Sequence, residues 1–432
     1  MKIALSPVTA VCCDAAFQTI ENAAIHIENG QISYVGPLDT APAFEAEQTL
    51  GGPHLVAMPG LINTHTHAAM TLCRGYADDM ALEPWLNDKI WPFERNLEAE
   101  HIDWGTLLAT AEMIRGGTTT FCDMYFFERE GVRAALESGM RMAAGAVLLG
   151  FLPGSDEKIA AARHFIREFR GAGGGRINPY FAPHSLYTCN AAQWEKIIAA
   201  AHDLGALIST HASETRREVA DVTAQWGASP IQTLEKIGAL ETPLLAAHCV
   251  YTDEIDREIM TRRPFRVAHN PQSNLKLASG IAPVSDYLAR GITVGLGPDG
   301  PASNNNLDMW EEMRLAATLH KAATGDPTAV SARAALEMAT IGGAKCLGLE
   351  NEVGSLEIGK KADITLVDFD KPHLYPRHNV VSHLVYAANG ADVHSVLVDG
   401  QFLLRDGAFI SLDVPQICRQ SQAIAQRLVG LA

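Results

Sequence analysis

Two histidines, His65 and His67, close the stretch Met58-Pro59-Gly60-Leu61-Ile62-Asn63-Thr64-His65-Thr66-His67. Neutral imidazoles two residues apart at a strand end make half of a first-row metal site, which also needs further ligands and one open position for water. Pro59-Gly60 is a turn, and the apolar run after it predicts a buried strand. Side chains alternate along a strand, so Asn63, His65 and His67 are expected on one side. Three more chemistry-bearing residues fall at predicted strand ends: His211, with Glu214 three residues on, then His248, then Asp299. A lone strand-end histidine is most often structural; five such residues gathered at strand ends point to a reaction centre. Three imidazoles and a carboxylate around one divalent ion leave room for a water, whose pKa the ion lowers from about 15.7 toward 7. In that scheme His65, His67, His211 and Asp299 are the metal ligands, and Asp299 also takes the water's proton. Glu214 is the expected general acid, protonating a ring nitrogen next to the attacked carbon. His248 is expected to hydrogen-bond the nucleophile or the developing oxyanion, with a fourth-ligand role as the alternative.

The elements that must position these residues read as an α/β chain. Between about residues 57 and 350, short apolar strands alternate with amphipathic helices, and eight strands end near His67, Asp123, Leu149, Pro183, His211, His248, Asn270 and Asp299. Helices are predicted over Asp103 to Gly116, Ala191 to Leu204 and Asp308 to Ala323, with Gly116-Gly117 and Gly205 at C-caps. Eight alternations predict a (β/α)8 TIM barrel, whose chemistry gathers at the C-terminal ends of its strands. The two ends of the chain are β-rich. Asn29-Gly30 between two strand-like runs signals a hairpin. Neither end carries enough apolar mass to stand alone. We therefore expect residues 1–56 and 355–432 to form one small β-sandwich closed by a helix near Val414 to Leu428, with residues 57–354 as the catalytic barrel.

Composition excludes several classes. The 432 residues carry 47% hydrophobic and 19% charged side chains, enough for a sizeable core, and a formal net charge of −16. That acidic balance argues against nucleic acid or an anionic membrane as a partner. The eight cysteines are scattered without a C-x-x-C, which points to a reducing compartment. The N-terminal apolar run is too short for a signal peptide and no segment is long enough to span a bilayer, so the chain reads as soluble and cytoplasmic.

Several motifs together resemble the amidohydrolase superfamily over essentially the whole length: Pro59 to His67, Thr210-His211-Ala212-Ser213-Glu214, Ala247-His248-Cys249, His269-Asn270-Pro271, Gly297-Pro298-Asp299-Gly300, and Gly354 to Asp363. Two-metal members use a carbamylated lysine on the fourth strand; here Ile177 to His184 has none, so the resemblance implies one divalent metal, most simply Zn2+. Iron and manganese tolerate the same donors. Within the superfamily the chain is similar to the deaminases of 5′-methylthioadenosine and S-adenosylhomocysteine, through Leu82-Glu83-Pro84-Trp85-Leu86, Ile90-Trp91-Pro92-Phe93-Glu94 and Ala182-Pro183-His184-Ser185-Leu186-Tyr187. The resemblance implies that Glu94 binds the ribose 2′ and 3′ hydroxyls, that His184 contacts the substrate, and that Trp85 packs against the nucleoside. With Glu214 and Asp299 these complete the expected substrate-binding set, together with Arg141, which matches a family arginine for the amino-acid tail. Where relatives that handle that tail carry another arginine, this chain reads Gly150-Phe151-Leu152-Pro153-Gly154-Ser155. The expectation is hydrolytic deamination of adenine, with 5′-methylthioadenosine preferred over S-adenosylhomocysteine and adenosine also a candidate. The alternatives are another ring hydrolase of the superfamily, such as a guanine deaminase or chlorotriazine hydrolase, and a non-catalytic barrel serving as a scaffold. Relatives are commonly oligomeric, so a homo-oligomer is compatible with the resemblance. His269 ends the seventh strand without an assigned role.

Overall fold

The computed structural model describes residues 1–150 and 154–431. Eight strands form one parallel sheet in sequence order: β1 Leu61–Thr66, β2 Thr118–Asp123, β3 Arg141–Leu148, β4 Ile177–Pro183, β5 Ile208–Ala212, β6 Leu244–His248, β7 Phe265–His269 and β8 Thr293–Leu296. The last and first strands are tied by Thr64 Oγ1 donating to the Leu296 carbonyl at 2.8 Å and by the Asp299 amide donating to the His65 carbonyl at 3.1 Å. These bonds bring the ends of the sheet together as a (β/α)8 barrel. The strands read as near-continuous apolar runs because helices cover the outer face and packed side chains fill the inside. The predicted helices form over Ala99–Arg115, Ala191–Leu204 and Met309–Thr324. Asn190 starts the second of these, its side chain accepting from the Gln193 amide, and Gly205 ends it at φ +55°, where a Cβ would be strained.

The chain ends meet in a separate nine-stranded sheet. Thr19–Glu28 and Gln31–Pro37 form the hairpin signalled by Asn29-Gly30, with both turn residues at positive φ, as a two-residue I′ turn demands. Lys2–Val11 pairs with Thr19–Glu28 on one side and with Leu55–Pro59 on the other. Leu55–Pro59 then pairs antiparallel with Ile364–Asp368, joining the N-terminal strands to the C-terminal ones. This sheet runs to Pro59 and the barrel begins at Leu61, so the site motif starts at the junction between them. The terminal sheet has an apolar core of its own, including Ile3, Leu5, Ile25, Ile364, Leu366 and Leu397. The closing helix, Val414–Val429, lies against Ala99–Arg115 and buries Ile424 and Leu428 in the cluster that also holds Phe93 and Ile102. Among the described residues no helix is long and apolar enough to cross a membrane. All eight cysteines are free, and seven are buried.

Candidate active site

Nitrogen donors of His65, His67 and His211 lie within 4.8 Å of one another, and a second set of the same compactness joins His65, His248 and Asp299. Asp299 Oδ1 stands 3.3 Å from His65 Nε2 and 3.2 Å from His67 Nε2. That oxygen is buried without a hydrogen-bond partner, as are both ring nitrogens of His65. Orphaned buried donors and acceptors are costly, and here Asp299 Oδ1 and His65 Nε2 face each other beside His67 Nε2, the donor types a divalent ion takes. The residues present therefore fit one such ion.

Four members of the cluster, His67, His211, His248 and Asp299, are held from behind. His67 Nδ1 meets the Met124 carbonyl at 2.6 Å and His211 Nδ1 meets the His184 carbonyl at 2.8 Å, which fixes the tautomer and turns each Nε2 to the centre. His248 Nδ1 lies 2.8 Å from Asn274 Oδ1. Asp299 Oδ2 accepts from the hydroxyls of Ser273 at 2.6 Å and Ser303 at 2.8 Å, leaving Oδ1 for the cluster. Burial alone would push the Asp299 carboxyl up, but the imidazoles of His65 and His67 hold it well below the ordinary carboxylate range. His248 and Asp299 both sit in the left-handed backbone region, at φ +75° and +62°, so the loops that leave β6 and β8 carry strain at the residues that face the centre.

The cluster opens into a cleft of about 760 Å3, counting its mouth, which holds His67, His184, His211, Glu214, His248 and Asp299 at its floor and Glu94 and Trp85 on its wall. The volume suits a small organic ligand. Glu214 is buried, accepts from Ser279 at 3.2 Å and lies 3.8 Å from His248 Nε2. Burial raises its pKa, with His248 opposing, so the group tends to keep a proton it can donate. Glu94 accepts from the Tyr125 hydroxyl at 2.8 Å, and burial lifts its pKa to about 7. His184 is held neutral, with burial and then the neighbouring imidazoles pulling its pKa down to about 3. Trp85 is buried and donates its indole N–H to the Ala77 carbonyl at 3.1 Å. Apolar side chains, including Leu82, Leu86, Ile90, Val147 and Leu149, complete the wall, and among the described residues no lysine or arginine lines it. Phe151 and Leu152, expected at the tail of the substrate, lie outside the described residues.

Two expectations are corrected. Arg141 is not at the cleft. It opens β3, about 20 Å of strand from the end that faces the cleft. There it is fully buried, donating to Asp363 at 2.9 Å and to Asp399 at 2.7 Å. Those carboxylates come from the C-terminal part of the chain, which a motif match at Arg141 could not see. Asn63 does not share the face of His65: the pairing register of β1 with β2 is irregular between Asn63 and Thr66, and the Asn63 amide turns to Met113 of the helix outside the barrel at 3.8 Å. A bulge shifts side chains between faces, so strict alternation fails there.

Sequence reasoning also missed Tyr125, Ser273, Asn274 and Ser303. Ser273 and Asn274 continue the His269-Asn270-Pro271 motif, and Ser303 follows Asp299 by four residues, so proximity to a motif was their only signal. His269 is accounted for away from the cleft: its Nε2 meets His320 Nε2 at 3.1 Å in the core, and burial holds both rings neutral.

A family model described as the amidohydrolase family matches residues 56–403. The 5-methylthioadenosine/S-adenosylhomocysteine deaminase of Desulforudis audaxviator is 48% identical over 406 residues, which is 94% of each chain. Among solved structures, a zinc-bound adenosine deaminase from Xanthomonas campestris superposes with a TM-score of 0.95 at 36% identity, covering 99% of this chain and 98% of its own. A zinc complex of atrazine chlorohydrolase from Arthrobacter aurescens gives 0.91 at 25% identity, covering 98% and 100%.

Proposed function

Since this chain belongs to the amidohydrolase family, we infer that it deaminates the adenine ring of 5′-methylthioadenosine by hydrolysis, yielding the inosine analogue and ammonia. The observation that carries the substrate is the half-buried carboxylate of Glu94 in the same cleft as the His65–His67–His211–Asp299 cluster. One carboxylate can accept from both hydroxyls of a vicinal diol, and a planar ring hydrolysed without a ribose has no use for it.

We assign one zinc ion to His65, His67, His211 and Asp299. A divalent cation there supplies the Lewis acidity that makes a water nucleophilic near neutral pH. The chain's own groups do the rest. Glu214 donates its proton to N1 of the purine, which draws electron density from C6 as the water oxygen attacks. His248, oriented by Asn274, hydrogen-bonds that oxygen through Nε2. Asp299 takes one of the water's protons on its carboxylate and delivers it to the departing amine, and the proton left on the oxygen returns to Glu214 as the C6 carbonyl forms. His184 and Trp85 pack against the nucleoside.

The apolar wall and the lack of a lysine or arginine among the described lining residues support a preference for the methylthio tail over the charged homocysteine tail. The test is ultraviolet absorbance of the zinc-loaded protein with 5′-methylthioadenosine, S-adenosylhomocysteine, adenosine, guanine and a chlorotriazine. The expected result is rapid conversion of adenine to hypoxanthine, fastest with the methylthio compound. Turnover of guanine or the triazine alone would replace the substrate assignment, and a faster reaction with S-adenosylhomocysteine would overturn the tail preference.

A further inference from the structure

Glu94 does not sit on the barrel. It ends a helical run that crosses the mouth of the cleft, Leu82–Pro84, then a π-helical turn Trp85–Ile90, then Trp91–Glu94. π-turns are strained and recur at functional sites. The run makes an ion pair with the far rim, Glu83 to Arg217, between two exposed side chains. Beside the cluster, one polar tie of the run to the barrel is the Tyr125 hydroxyl, 2.8 Å from Glu94 Oε1. Tyr125 is 4% exposed and Glu94 is half-buried, so the bond is partly screened from water. A phenylalanine would fill the same space; among the described residues the hydroxyl's hydrogen bond is the one to Glu94.

The backbone around Tyr125 is anchored to the metal-ligand strand. The Met124 amide donates to the Thr66 carbonyl at 2.9 Å, and the Met124 carbonyl holds His67 Nδ1 at 2.6 Å. Consecutive residues thus grip a cluster histidine through one carbonyl and the diol acid through one hydroxyl, with the Tyr125 and His67 rings 6.2 Å apart. We propose that Tyr125 is a specificity-determining positioning residue: its hydroxyl occupies Oε1 of Glu94, turns Oε2 toward the substrate, and fixes the distance from the ribose diol to the reacting carbon. The proposal rests on the reading of Glu94 as the acceptor of that diol. A carboxylate free to rotate would accept from a diol, a single hydroxyl or water with less distinction; a held one rewards the diol.

The test compares 5′-methylthioadenosine with its 2′-deoxy analogue, using zinc-loaded wild type, Tyr125→Phe, Glu94→Gln and the double variant. Zinc content and melting temperature of each variant verify that the fold and the cluster persist. Wild type should favour the ribose compound in kcat/KM by about tenfold or more, the worth of one bond to a charged group. Tyr125→Phe should shrink that ratio severalfold, with the loss carried by KM more than by kcat. The double variant should discriminate no worse than Glu94→Gln alone, since the tyrosine acts through the acid. An unchanged ratio in Tyr125→Phe, or additive losses in the double variant, would overturn the role of Tyr125 while leaving the deaminase intact. Wild type that deaminates without discriminating would remove Glu94's role and this inference with it. Wild type that does not deaminate would overturn both readings.

Discussion

Arg141 offers the sharpest test of how position decides role. The guanidinium is fully buried at the start of β3, bidentate on Asp363 through Nε at 2.9 Å and Nη2 at 3.2 Å, with a third bond to Asp399. Burial alone would lower its pKa, but the two carboxylates more than reverse that, so the charge persists. Asp363→Ala would leave this charge with Asp399 alone, whose side chain is 15% exposed, and would strip the Asp399 amide of the acceptor it meets at 2.8 Å. Breaking a buried pair by removing one partner costs about 3–5 kcal/mol. With an unfolding entropy of about 2.1 cal/mol/K per residue over this chain, that loss lowers the melting temperature by about 3–6 °C. The steady-state ratio of kcat/KM for S-adenosylhomocysteine over 5′-methylthioadenosine should stay put, because the trio is far from the cleft. Pairing Arg141→Met with Asp363→Leu should cost less than the two single changes together, since neither then strands a buried charge. Calorimetry and the absorbance assay read both quantities. An Asp363→Ala protein that melts like wild type would refute the reasoning. So would an Arg141→Met protein of unchanged stability whose substrate ratio shifts, which is what a tail-binding arginine predicts.

Two further outcomes follow from the site. Because burial lifts the Glu94 pKa to about 7, the acid takes up a proton as pH falls through that value and loses its capacity as a charged acceptor. The kcat/KM for the ribonucleoside should therefore decline below about pH 7, a limb that Glu94→Gln should lack, and a flat wild-type profile from about pH 5 to 8 would contradict the assignment. Stripping the cation with a chelator should abolish turnover and lower the melting temperature by several degrees, since an ion at about a thousand times its Kd contributes about 4 kcal/mol. Added zinc should restore both, and turnover that survives verified depletion would contradict the cluster's role.

What the sequence determined by itself was the chemistry carried on strand ends. His65, His67, His211, His248 and Asp299 were legible because a barrel strand announces itself as a short apolar run and the C-terminal ends of the strands gather the chemistry. The hairpin at Asn29-Gly30 and the C-cap at Gly205 were legible for a similar reason, since positive φ restricts which residues fit. The tertiary structure decided which distant groups meet. Asp363 and Asp399 claim Arg141 from more than two hundred residues away, and Tyr125 claims Glu94 from a different element. It also decided Asn63, where a local break in register moved the side chain off the histidine face. Periodicity and turn chemistry are properties of neighbours along the chain. Burial of a charge, and the partner that compensates it, exist only once the chain has closed on itself.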